Sequence, residues 1–294
     1  MPVNRLKTVL TVFLALVGNW VCAANITIVA PAATELTDQF TTTLQQLRPD
    51  DSITLHVLDS SPAPTSSDVL VPLGWRAFQW QQQQFASTPA VAAYMDASQI
   101  QGHTPVSTAP LHILLVNPKP SRQIALACML LPRIDTLGLL YSAASRTQLP
   151  AWQDAADTAG LKLITRDVEG EKTLTRPLTD VLSRSDVLMA LEDQTIYRAD
   201  NLRALLLTSY ARDKVLIGPS APFIPAGSLS TTFSTPADTA RSVNELLTTG
   251  VVQGISYPRY FSVMSNHHVA RSLGYPPPND VRLAKELLNR EPGR

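Results

Sequence analysis

Cysteine is nearly absent from this chain: its 294 residues include two, Cys22 and Cys128. No H-E-x-x-H pattern and no clustered Cys/His spacing occurs, and His267 and His268 are adjacent, so on a helix they point to different sides. No metal site is expected. Charge of one sign is also lacking, because 24 Lys plus Arg balance 24 Asp plus Glu. No net field draws the chain to nucleic acid or to an acidic membrane surface, so any partner must be recognised locally. Glycine signatures are missing as well: there is no G-x-S-x-G, and the glycines of "LGW" and "IGP" form no phosphate-cradling series. No cofactor is expected and no catalytic residue can be named, although catalytic groups gathered from distant positions would leave no local signature. Long hydrophobic runs are lacking too. The apolar stretch at 8–17 is much shorter than the ~20 residues a bilayer crossing needs.

That stretch is instead the centre of an export signal. Arg5 and Lys7 precede it, and Val21 and Ala23 suit the positions before a cleavage site at Ala24. Cys22 invites a lipid anchor, but Asn19, Trp20 and Val21 supply no small residue just before it. Cleavage after Ala23 leaves Cys128 alone and excludes an intramolecular disulfide. Cys128 sits at helical spacing in the apolar stretch 124–131, as a buried structural thiol rather than a nucleophile. The mature chain is expected to be soluble, periplasmic and monomeric.

The rest of the sequence alternates short β-rich runs with amphipathic helical runs, the pattern of parallel sheets covered by helices. Strands are expected at 26–30, 53–58, 69–73, 90–95 and 111–116, with helices at 34–46 and 75–84. Polar sequence containing Gly and Pro interrupts the alternation between 96 and 110. A second series follows: helices at 121–131, 149–159, 173–183, 197–212 and 236–249, and strands at 137–141, 161–168, 187–191, 215–217 and 229–233. The segment 256–264 then crosses back. The fold class expected is α/β: two doubly wound parallel-sheet lobes joined by a hinge at 101–110 and 257–262. The first lobe would hold 24–117 and a return of 258–294, and the second 118–257.

In doubly wound sheets ligands sit beyond the carboxyl ends of the strands. The polar and aromatic residues at those ends are Gly74, Trp75 and Asp96 in the first lobe. In the second they are Ser142, Glu192, Asp193, Gln194, Ser220, Phe223 and Ser234. Glu192 to Gln194 suit hydrogen bonding to an ammonium or polyhydroxyl ligand, and equally suit helix capping. Phe223 either faces a ligand or plugs the gap between its loop and the core. Trp75 is either a cleft wall or, near Phe78 and Trp80, core.

Three segments in order, "PSRQIALACMLLPRIDTLGLLYS", "DVLMALEDQTIYRADNLRALLLTSYARDKVLIGPSAPFIPAGSLSTTFSTPADTARS" and "YPRYFSVMSNHHVARSLG", resemble the ABC-transporter substrate-binding protein family of tryptophan- and amino-acid-type periplasmic binding proteins. The resemblance implies a type I periplasmic-binding-protein-like fold, a small-molecule ligand, a membrane permease of an ABC importer as partner, and no catalysis. In the first lobe "PLGWRAFQW" departs from the family pattern. That departure motivates an alternative, a periplasmic sensor or interaction subunit that signals to a membrane kinase or outer-membrane receptor.

Mass spectrometry of the exported protein should give a mature chain starting at or near Ala24. Retention of Arg5 and Lys7 would show that the signal is not cleaved.

Overall fold

The computed structural model describes residues 23–60, 62–169 and 174–291. Residues 1–22, which hold nearly all of the expected export signal, lie outside them. The first series of elements is β1 (Asn25–Ala30), α1 (Glu35–Leu47), β2 (Ser52–Val57), β3 (Val69–Pro72), α2 (Trp75–Gln84), β4 (Ala90–Met95), the one-turn α3 (Ala97–Ile100) and β5 (Leu111–Leu115). The second is α4 (Pro120–Leu130), β6 (Thr136–Tyr141), α5 (Leu149–Thr158), β7 (Lys162–Asp167), α6 (Thr175–Arg184), β8 (Val187–Met189), α7 (Ala199–Tyr210), β9 (Leu216–Ile217), α8 (Phe223–Ala226) and β10 (Ser230–Phe233). The chain ends with α9 (Pro236–Thr249), β11 (Gly254–Ser256), β12 (Ser262–Ser265), α10 (His267–Ser272) and α11 (Asp280–Arg290).

Local chemistry places the main boundaries. Thr34 and Thr37 cap α1 reciprocally, and Thr235 and Asp238 do the same for α9, with Pro236 in its first turn. Every residue of β5, LHILL, is buried, as expected of an interior parallel strand covered on both faces.

The strands form two six-stranded sheets, ordered β2-β1-β3-β4-β5-β11 and β7-β6-β8-β9-β10-β12. All the pairings within them are parallel except β10 with β12, which runs antiparallel from Ser230↔Ser265 to Phe233↔Ser262. In each sheet the order reverses beside the first strand, at β1/β3 and at β6/β8, which opens a crevice at the strand ends. The expected α/β architecture of two doubly wound lobes is therefore present.

The lobe boundaries need correction beyond residue 235. Helix α9 packs on α1 and β4, and its Ala240 and Val243 join Ile26, Phe40 and Val71 in the first lobe's core. Strand β11 extends the same sheet at β5, His112 pairing with Gly254. Conversely β12 belongs to the second sheet, and α11 packs on it and on α4 through Leu283 and Leu287. So 236–256 lies in the first lobe and 262–290 in the second, the reverse of the sequence expectation. The chain passes between lobes three times, at 116–119, 234–235 and 257–261.

The expected hinge at 101–110 is also corrected. Gly and Pro break the alternation there, but the loop's polar groups bond back to its own lobe: the Val106 N–H donates to Gln82 Oε1 at 2.6 Å and the Thr108 N–H to Ala86 O at 2.9 Å. The 257–262 part of the expectation does coincide with a crossing. Buried Arg122, at the start of α4, donates to Glu291 at 2.6 Å and to Pro258 O at 3.2 Å, with its guanidinium 3.7 Å over the Phe261 ring. Ser234 Oγ donates to Tyr260 O at 2.9 Å, which ties the second crossing to the third. Cys128 is half-buried on α4 against the second lobe's core, and burial pushes its thiol up, as suits an inert structural cysteine.

Gly138, in β6, faces α6 with no space for a side chain. A Cβ there would overlap Ser185 Oγ and Val181 Cγ1. Gly138→Ala should lower unfolding stability by about 1–3 kcal/mol, measured by urea denaturation, without changing the far-UV spectrum.

Candidate functional site

The crevice is built by the loops that follow β3 and β4 in one lobe and β6, β8 and β9 in the other. On the first lobe, Gly74 caps α2 with φ 80°, a conformation costly for side-chain-bearing residues, while its N–H donates to Ala93 O at 2.8 Å. At the end of β4 the pairing register shifts between Ala92 and Met95, and Tyr94 takes φ 58°. Asp96 follows directly after this irregular strand end. Asp96 caps α3 through the Ser98 N–H at 2.7 Å, and Asn117, in the first crossing, bonds both to Asp96 at 3.4 Å and to the Ala97 N–H at 2.8 Å.

On the second lobe, the adjacent acids Glu192 and Asp193 have opposite environments. Asp193 is 3% exposed and fully engaged. Its Oδ2 accepts from Ser142 Oγ at 2.7 Å and Ser145 Oγ at 2.5 Å, and its Oδ1 from the Thr195 N–H at 2.9 Å and the Ile196 N–H at 3.3 Å. Burial alone would raise this carboxyl, but the bonds from Ser145, Ser142 and the two amides outweigh it and hold it below the ordinary aspartate range. Glu192 is pushed the other way. Its burial raises it, Ser220 offsets part of that by hydrogen bonding, the negative charge of Asp96 raises it further, and Gln194 donates from Nε2 at 3.3 Å. Glu192 is thus a partly desolvated carboxylate that feels the negative charge of a second carboxylate from the other lobe.

The structure therefore brings Asp96, Glu192, Gln194 and Ser220 together. It does not bring Ser142 and Asp193 to a ligand, because their polar atoms are spent on each other. Phe223 is 8% exposed and sits in the core, its ring edge-on to Tyr197 at 6.2 Å; it plugs the space under its loop. Ser234 serves the crossings, as described above. Trp75 is partly buried against Phe78 and His103 at 5.6 and 5.0 Å, a wall of the first lobe's core. Sequence reasoning missed Asn117, which a polar residue between β5 and α4 could have suggested.

Among the described residues no group of three or more His, Cys, Asp or Glu could hold a metal ion, and no helix is long and apolar enough to cross a membrane. No family model matches the chain, and no curated protein matches it in sequence. Solved structures do match. A ligand-free, open substrate-binding protein with adhesive properties from Clostridium difficile is 13% identical with a TM-score of 0.66, covering 87% of this chain and 97% of its own. An ABC domain in complex with L-Trp from Streptococcus pneumoniae is 17% identical with a TM-score of 0.52, covering 89% and 98%. The fold is that of a two-lobe periplasmic binding protein. In doubly wound sheets ligands sit in the crevice beyond the carboxyl ends of the strands, and the four converging residues lie at such strand ends.

The Asp193 network gives a stability prediction. Asp193→Ala leaves the buried hydroxyls of Ser142 and Ser145 and the Thr195 N–H without an acceptor and should cost on the order of 3 kcal/mol, measured by chemical denaturation. The parent's stabilisation by this carboxylate should be complete above the ordinary aspartate value near pH ~3.9. It should be lost as the pH falls through the lowered folded value. A variant as stable as the parent would contradict this role.

Proposed function

We propose that this chain is a periplasmic solute-binding protein of the ABC substrate-binding family, which captures a small molecule between its lobes and delivers it to the permease of an ABC-type importer. One pairing of charges carries the reading: Glu192 of the second lobe is desolvated and raised by burial, and the negative charge of Asp96, from the first lobe, adds to that rise. Asp96 accepts from the Ser98 N–H and hydroxyl and from Asn117, whereas Glu192 is the poorly satisfied charge of the two. A ligand with an ammonium or amine group between them offsets their repulsion, and Ser220 and Gln194 supply further hydrogen bonds to polar groups on it. Because that relief requires both lobes at once, the ligand binds better to an approached pair than to a separated one, and this differential affinity drives closure. The L-Trp of the Streptococcus pneumoniae structure supports a small molecule as occupant. The short segments at 116–119, 234–235 and 257–261 support rotation about a hinge.

Thermal-shift screening of the mature chain against amines, amino acids and sugars tests the reading. A ligand at 100 times its dissociation constant should stabilise by about 2.7 kcal/mol. Glu192→Gln removes the unfavourable buried charge, so it should raise the melting temperature of the empty protein at neutral pH while weakening an amine-bearing ligand about 5- to 150-fold. Ser220→Ala should weaken it in the same range. Small-angle scattering should show a smaller radius of gyration at saturation. An unchanged radius, with Glu192→Gln binding as tightly as the parent, would overturn the capture mechanism.

A further inference from the structure

A cavity on the first lobe is chemically unlike the crevice and owes nothing to the second lobe. It has a volume of about 340 Å³, and its walls, among them His56, Asp59, Arg76, Gln79, Trp80 and Gln83, all come from the first lobe. That size falls within the roughly 300–1,000 Å³ of small-molecule sites. Its position follows from the sheet order. Strand β2 is outermost at one edge of the sheet, while α2 packs on β3 and β4, so a flank beside the helix is left open over β2. Arg76, Gln79, Trp80 and Gln83 recur on α2 at the three- and four-residue spacing that puts side chains on one face, and that face borders the flank. Arg76, Gln79 and Trp80 belong to "PLGWRAFQW", the stretch that departs from the family pattern.

Burial divides the glutamine run of α2. Gln81 and Gln82 are buried and bonded inward, Gln81 Nε2 donating to Phe85 O at 3.1 Å and Gln82 Oε1 accepting from the Val106 N–H at 2.6 Å. Gln79 and Gln83 are exposed, and their amides line the cavity with no hydrogen-bonding partner among the described residues. Asp59 and Arg76 form an ion pair with side chains 76% and 60% exposed. A pair so exposed contributes little to stability, but its two charges cancel, and it sets carboxylate acceptors beside guanidinium donors. Trp80 is half-buried and held in place, its ring 4.9 Å from that of His56 and 5.2 Å from that of Phe85, and it supplies an aromatic wall. Cancelled charge, donors and acceptors side by side, and a fixed aromatic ring together select a neutral ligand whose polar groups each donate and accept. The hydroxyl does both, and a sugar ring carries several hydroxyls around an apolar face of C–H groups.

We propose that this cavity is a saccharide site, in which a neutral sugar rests its C–H face on Trp80 while neighbouring hydroxyls bond the Gln79 and Gln83 amides and the Asp59 and Arg76 pair. Every wall belongs to one lobe, so occupancy needs no closure and does not compete with a ligand in the crevice. The site goes beyond solute capture and stands whether or not that reading holds.

Cellotriose, maltotriose and chitotriose, neutral sugars that differ in linkage and ring substituent, are the probes, titrated into the isotope-labelled mature chain and followed by NMR. The indole N–H resonance of Trp80, assigned through Trp80→Phe, should shift saturably with one or more of them, whereas that of Trp152, buried in the second lobe's core, should stay in place. Gln79→Ala and Gln83→Ala alter exposed positions and should keep the parent's melting temperature, while each weakens the bound sugar about fivefold. Glu192→Gln, which alters only the crevice, should leave the affinity unchanged. The permethylated form of the same sugar, with its rings kept and its hydroxyls capped, should not bind. Failure of all three sugars to bind, equal affinity in the parent and both glutamine variants, or binding of the permethylated form would each overturn the proposal. A loss in Glu192→Gln would overturn it too, by placing the sugar in the crevice.

Discussion

The carboxylate of Asp193 holds together the two loops from which the second lobe builds its half of the interlobe surface. Four groups from two segments, Ser142 and Ser145 after β6 and the Thr195 and Ile196 amides after β8, converge on its two oxygens. The cost of burying the charge is offset because its acceptor sites are used, and in a low-dielectric setting such a network is stiff. Its neighbours inherit that stiffness. Glu192 stands one residue before it, and Gln148 follows Ser145 by three residues.

The contrast between adjacent acids shows how the fold divides labour. Asp193 has more donors than it needs and is held ionised, whereas Glu192 has fewer and is raised. A group with spare capacity is the one that can answer to a ligand, and the discomfort of Glu192 beside Asp96 is energy that a ligand recovers on binding. Rigidity elsewhere makes that recovery specific. Arg122 clamps the third crossing to the start of α4, and Gln123 beside it fixes α4 to β9 and β10 by donating to Gly218 O at 3.0 Å and accepting from the Thr232 N–H at 3.1 Å.

The layered α/β fold was legible in the sequence because its signals are local. The expected strand at 90–95 coincides with β4, and 26–30 falls within β1; both are apolar runs bounded by turn-forming residues. Lobe membership was not legible after residue 235. The periodicity of α9 shows that Ala240 and Val243 are on one face, but nothing local says whether that face meets Phe40 or Leu126, since both lobes offer similar apolar cores. The segment at 256–264 read as one crossing because β11 and β12 are three and four residues long, too short for alternation to declare two strands. The candidate site was half legible. Strand ends located Asp96, Glu192, Gln194 and Ser220, while the roles of Asp193 and Ser142 depend on contacts 51 residues apart.

The threefold passage between lobes has a consequence for synthesis. The first lobe's core draws Ala240 and Val243 from α9, and its sheet ends on β11. A chain growing from its N-terminus therefore emerges with an incomplete first core through more than two hundred residues, and the second lobe lacks β12 and α11 until later still. Neither half can be made as a contiguous, self-sufficient fragment. Such a polypeptide has no finished domain until nearly all of it has been made.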